Sequence, residues 1–166
     1  LHERFALRCA EAGVACKVLQ DEGAPWDRIV TEAQRYDLIL LGRQARFAFE
    51  AGGRDDDTLV RVLKRSPRPV VVAPEARHEG RSVVVAYDGS VQASRALAAF
   101  EALGLRGGRE VHIVSVDADA RVAARHAERA VDFLWLHGVE ARAHHLEHGG
   151  HPGETILGQI KELNAG

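Results

Sequence analysis

The sequence predicts an α/β protein built on an open parallel sheet with helices on both faces. Three observations carry this. Short apolar runs of strand length (Leu38 to Leu41, Val70 to Ala73, Val83 to Tyr87) alternate with helical stretches, the pattern of crossover units. The runs are nearly continuous rather than alternating, which marks strands covered on both faces. In Ser82 to Ser90 an apolar run ends in Asp88-Gly89-Ser90, and a helical segment opens directly after it. In open α/β sheets ligands bind outside the carboxyl ends of the strands. The free N–H groups and positive dipole of a helix start there suit an anion.

The elements follow in order. Phe5, Ala6 and Cys9 share a face of an amphipathic helix ending at Ala12, and Gly13 stops it. Val14 to Leu19 reads as a strand. Pro25 opens a helix through Tyr36, with Trp26, Ile29, Val30 and Ala33 on its apolar face. Asp37 to Gly42 is a strand and Arg43 to Arg54 a loop. Asp55 to Arg65 is a helix with acids in its first turn and Lys64 and Arg65 in its last, complementing the dipole. Pro67 and Pro69 end it, and Val70 to Ala73 is a strand. Ser82 to Asp88 is a strand and Val91 to Leu103 a helix with Ser90 as N-cap. Val111 to Val116 is a strand, Ala120 to Leu136 a long helix closed by Gly138, Val139 to Leu146 a strand, and Pro152 to Leu163 a helix.

The chain has 166 residues and a formal net charge of −2, so no global basic field favours nucleic acid. No apolar run approaches the ~20 residues that span a bilayer. Cys9 and Cys16 are expected to be small buried residues of a reducing compartment rather than a disulfide. Trp26 and Trp135 sit at apolar helical positions and are expected in cores.

A weak internal repeat runs through this order. Gly13-Val14 recurs as Gly138-Val139, and Pro25 and Ile29 recur as Pro152 and Ile156. Helix, strand and Pro-led helix are thus written twice. This predicts two similar domains in tandem: residues 1–76 as the C-terminal part of a first domain, 77–81 as a linker and 82–166 as the N-terminal part of a second. The first copy enters at a late helix, with Leu as residue 1, and the second stops at Gly166 where the first continues into the strand Asp37 to Gly42, so the chain is expected to be cut at both ends.

Four stretches in this order resemble the universal stress protein family in its tandem form. Val83 to Ser90 (VVVAYDGS) is similar to the family's first strand and Asp turn, Val111 to Asp117 (VHIVSVD) to its second strand, Asp37 to Gly42 (DLILLG) to its fourth, and Leu59 to Ala73 (LVRVLKRSPRPVVVA) to its last helix and strand. The resemblance implies a Rossmann-like, five-stranded open sheet of order 3-2-1-4-5, related to the adenine nucleotide α-hydrolase-like folds. It implies a cytoplasmic, bacterial stress-response protein that binds ATP or AMP, with Mg²⁺ entering only with the nucleotide. By resemblance Asp88 would contact the adenosine portion and Val116 would line the adenine pocket; Gly89 is a binding-site candidate of the same turn, there for its backbone conformation. Dimer-like packing would follow, between tandem domains or between two copies. The family's phosphate grip, G-x-x-G followed by G-[S/T], keeps Gly42 here. Ala45 replaces its second Gly, and the acidic run Asp55-Asp56-Asp57 replaces its last pair. Carboxylates beside a triphosphate repel it, so this loop is expected to be degenerate.

The residues also allow other readings. A nucleotide-hydrolysing or nucleotidyl-transfer enzyme would use the Asp-Gly-Ser turn as a phosphate loop. No Walker A or G-x-S-x-G pattern supports catalysis, so binding without turnover is expected, with weak ATPase activity left open. His144, His148 and His151 are weak candidates for a metal-binding stress module. His144 and His145 would point to opposite faces of a strand, so zinc is not expected. The Asp55 to Asp57 run reads as a helix-start charge cluster, with Mg²⁺ as the alternative.

Overall fold

The computed structural model describes residues 2–43, 57–76, 80–147 and 150–165. The chain divides into two compact units, Leu1–Glu75 and Ala76–Gly166. Its strands are parallel and form two open sheets flanked by helices, an α/β architecture.

The first unit begins with α1 (His2–Glu11), which Gly13 terminates at φ +66. Next come α2 (Pro25–Glu32), a 3-10 turn over Ala33–Arg35, β1 (Ile39–Gly42), α3 (Thr58–Arg65) and β2 (Val70–Ala73). Strands β1 and β2 pair in parallel, with Leu40 opposite Val71. Ala33, Ile39 and Val62 are buried at the centre, with Trp26, Ile29, Val30, Leu41 and Val70 against them. Arg68 ties the 3-10 turn down by donating to the carbonyls of Ala33 and Gln34, at 3.3 and 3.0 Å.

Several expectations for this unit are corrected. Residues 14–19 form no strand, and Val14, Val18 and Leu19 are exposed. A strand needs a ladder partner for its N–H and C=O groups, and among the described residues β1 and β2 pair only with each other. The apolar run of β1 is covered on one face only: Ile39 is buried, whereas Leu40 is 65% exposed. Asp57 is the N-cap of α3, but its carboxylate accepts from Arg61 Nε at 2.6 Å instead of capping the helix. Asp55 and Asp56 lie outside the described residues. Both cysteines are free, and Cys16 is exposed rather than buried.

The second unit holds β3 (Ser82–Ala86), α4 (Val91–Ala102), β4 (Glu110–Asp117), α5 (Ala120–Leu136), β5 (Ala141–Glu147) and α6 (Pro152–Glu162). The sheet order is β3-β4-β5, all parallel. Val111 and Ile113 of β4 bury against Ala127, Ala130 and Leu134 of α5 and Leu97 of α4. Fully burying a side chain such as Ile113 or Leu134 contributes about 1.5–3 kcal/mol. Alternation along β4 turns His112, Val114 and Val116 to the opposite face, and α6 packs against the same strand. The C-terminal end of α6 is anchored to β3. Ser82 Oγ donates to the Leu163 carbonyl at 2.7 Å, and Ala165 forms a parallel bridge with Ser82.

Trp135 is 70% exposed, against the expected core position. The buried stripe of α5 runs Ala123, Ala127, Ala130, Leu134, and the residue after Leu134 is turned about 100° away from it. Among the described residues the strands form parallel sheets of two members in the first unit and three in the second.

Candidate functional site

The site is built at the carboxyl end of β3. The ladder extends one residue past the strand, where the Tyr87 N–H donates to the Val114 carbonyl at 2.9 Å. The chain then turns through Asp88 and Gly89. Gly89 takes φ +76, a left-handed conformation that a side chain resists. Ser90 caps α4: its Oγ accepts from the Ala93 N–H at 3.1 Å. Asp88 Oδ1 in turn accepts from the Ser90 N–H at 2.9 Å. The carboxyl of Asp88 is held below the usual carboxylate range, first by the Ser90 hydroxyl and then by its N–H, with a smaller contribution from the charge of His126. Asp88 is therefore an exposed, ionised acceptor fixed at a helix start. Tyr87 Oη and Ser94 Oγ lie 3.0 Å apart and stiffen the same turn.

A cavity of about 410 Å³ opens here, on the face of the sheet to which Val114 and Val116 point. Asp88, Ser90 and Gln92 supply its polar groups, and Pro152 and Ile156 of α6 lie across it. An apolar strand face beside an ionised carboxylate can hold a flat base and accept hydrogen bonds from hydroxyl or amino groups. The structure thus brings Asp88 and Val116 into one cavity, with Gly89 in the turn that presents Asp88. Gly42 ends β1 of the first unit. Ala45 and the rest of the phosphate-grip comparison, apart from Asp57, lie outside the described residues.

Gln92, Ile156 and His126 were not singled out by the sequence. Gln92 follows from Ser90 as N-cap, since it faces the ligand side of the first turn. Ile156 carried a signal in the repeat with Ile29. His126 had none, because only the packing of α5 brings it to the turn.

The histidines are arranged differently from the sequence expectation. His144 Nε2 lies 2.9 Å from Nδ1 of His112, a buried residue of β4. Glu110 sits 3.7 Å from His112 Nε2 and 3.5 Å from Arg142. Burial pushes His144 below its ordinary value, and the charges of His112, Arg142 and His145 push the same way. His145 is exposed, His151 is the exposed N-cap residue of α6, and His148 lies outside the described residues. Among the described residues no three His, Cys, Asp or Glu side chains come together as a metal site. No described helix is long and apolar enough to cross a membrane.

No family model matches the chain. Over 107 residues it is 27% identical to the universal stress protein Slr1230 of Synechocystis, a match covering 64% of this chain and 37% of that protein. The crystal structure of a universal stress protein from Archaeoglobus fulgidus superimposes with a TM-score of 0.75 at 25% identity, covering 99% of this chain and 61% of that one. The chain therefore spans less than two thirds of either relative's length.

Proposed function

With the chain UspA-like in sequence and fold, we propose that it binds an adenine nucleotide at the Asp88 turn and acts as a stress-response sensor by binding, not turnover. One observation carries the reading. Asp88 and Val116 line a single cavity at the carboxyl ends of adjacent parallel strands, beside the start of α4. Such a junction is where ligands bind in open α/β sheets. In this reading Asp88 accepts from ribose hydroxyls, Val116 offers an apolar face to the base, and the start of α4 faces the phosphate side. Mg²⁺ enters only with the nucleotide. Ala45 and the Asp55 to Asp57 run support a degenerate phosphate grip in the first unit. The two units are read as parts of tandem domains of a longer cytoplasmic protein, and a second such domain, in tandem or from another copy, is the proposed partner.

Calorimetric titration with AMP and ATP tests this. AMP is expected to bind, and Asp88→Ala to weaken it by about tenfold or more, the loss of a hydrogen bond to a charged group. Equal AMP affinity in the Asp88→Ala variant would refute the assignment. ATP turnover that Asp88→Ala abolishes would make the protein an enzyme instead.

A further inference from the structure

The left-handed turn at Gly89 is closed from outside by a residue of another element. A Cβ placed on Gly89 would lie 2.7 Å from Nε2, 2.8 Å from Cδ2 and 2.9 Å from Cε1 of His126. The imidazole thus fills the space that a side chain at 89 would need. The other described glycines with positive φ show no such contact: Gly13, Gly104, Gly107, Gly108 and Gly138 meet nothing within 4 Å, and Gly23 meets only Arg28 at 3.6 Å. His126 is half-buried on α5, one residue before buried Ala127, so the packing of α5 on the sheet fixes where its ring stands.

We propose that His126 is a positioning residue for the ligand site: its ring presses on Gly89 and holds the Asp88 carboxylate in the orientation that accepts from the nucleoside. This rests on the reading of Asp88 as the nucleoside contact. A loop ordered before binding spares the ligand the cost of ordering it. The Asp88 turn is thus met by two elements: α4 through the Ser90 N–H bond to Asp88, and α5 through the His126 ring beside Gly89. The charge of His126 also reaches Asp88, which is how its removal would register on the carboxyl.

Two measurements test the proposal. The first is a double-mutant cycle in urea unfolding with Gly89→Ala and His126→Ala. Removing the ring is expected to recover part of the loss caused by Gly89→Ala, a coupling of about fivefold in the folding constant. Strict additivity would overturn the contact. The second is AMP titration together with carboxyl NMR titration of Asp88. His126→Ala is expected to weaken AMP by about five- to thirtyfold and to raise the Asp88 pKa. His126→Phe, which keeps a flat ring, should restore affinity to within about threefold. Unchanged AMP affinity in His126→Ala, with Asp88→Ala impaired, would overturn the positioning role and leave the site standing. If the wild type binds no AMP, the site reading falls and the positioning role with it, while the cycle still reports whether ring and turn touch.

Discussion

Residues 14–19 and 139–147 follow the same instructions and end differently. Each comes after a helix closed by a left-handed glycine, Gly13 at φ +66 and Gly138 at φ +72. Each precedes a helix whose first residue is proline, Pro25 or Pro152. The first stretch is the more apolar, Val14-Ala15-Cys16-Lys17-Val18-Leu19, yet it stays irregular and exposed. The second contains Arg142, His144 and His145, yet β5 forms within it, because β4 offers a parallel partner from Val111 to Asp117. A strand is a property of its neighbour as much as of its own residues. Helix stops and starts are local and appear in both copies.

The sharpest way to break this comparison is to remove the neighbour. Ile113→Ala, in the centre of β4, should cost about 2–5 kcal/mol. Hydrogen exchange should show residues 141–147 losing protection while β1 and β2 keep theirs. Protection retained in β5 would mean that it does not depend on β4. The next test concerns what the copies share. Gly13→Ala and Gly138→Ala should each cost about 1–2 kcal/mol, the penalty of a left-handed conformation with a Cβ. Unequal costs in urea unfolding would show that the two helix stops are not equivalent. A third test uses a group that only the second stretch brings into contact. His144 is depressed by burial and by His112, so the folded state favours its neutral form and the unfolded state binds the proton more readily. Its contribution to stability is full above the ordinary value of 6.5 and falls as pH drops through and below it. Urea midpoints between about pH 8 and about pH 5 should decline on the acid side, and His144→Asn should flatten that decline. The smallest effect belongs to the unpaired copy: Val18→Ala should change stability by no more than about 0.5 kcal/mol.

Features decided within a few residues were legible in the sequence. Ser90 as N-cap, the span of α5, β2 at Val70–Ala73 and the turn at Asp88-Gly89 rest on local capping, proline and glycine signals. Features decided by partners were not. Val14 to Leu19 carries a strand pattern without a ladder, and the apolar run of β1 leaves Leu40 exposed. Trp135 follows the helical apolar pattern, but Leu134 occupies the buried stripe. For the site, Asp88 was marked by the turn from strand to helix and Val116 by the family resemblance, and parallel pairing of β3 with β4 places the two strand ends side by side. His112 and His126 were illegible, since one is reached through strand register and the other through helix packing, at sequence separations where no local pattern operates.

The two tryptophans divide between the units, one in each. Trp26 is half-buried against the first core, with the guanidinium groups of Arg65 and Arg61 at 4.9 and 5.4 Å from its ring centre. Trp135 already stands in water. Intrinsic fluorescence is therefore an optical label for one half of the molecule: melting the first unit strips Trp26 of its cationic cover and shifts its emission, while melting the second leaves the spectrum of Trp135 nearly where it began.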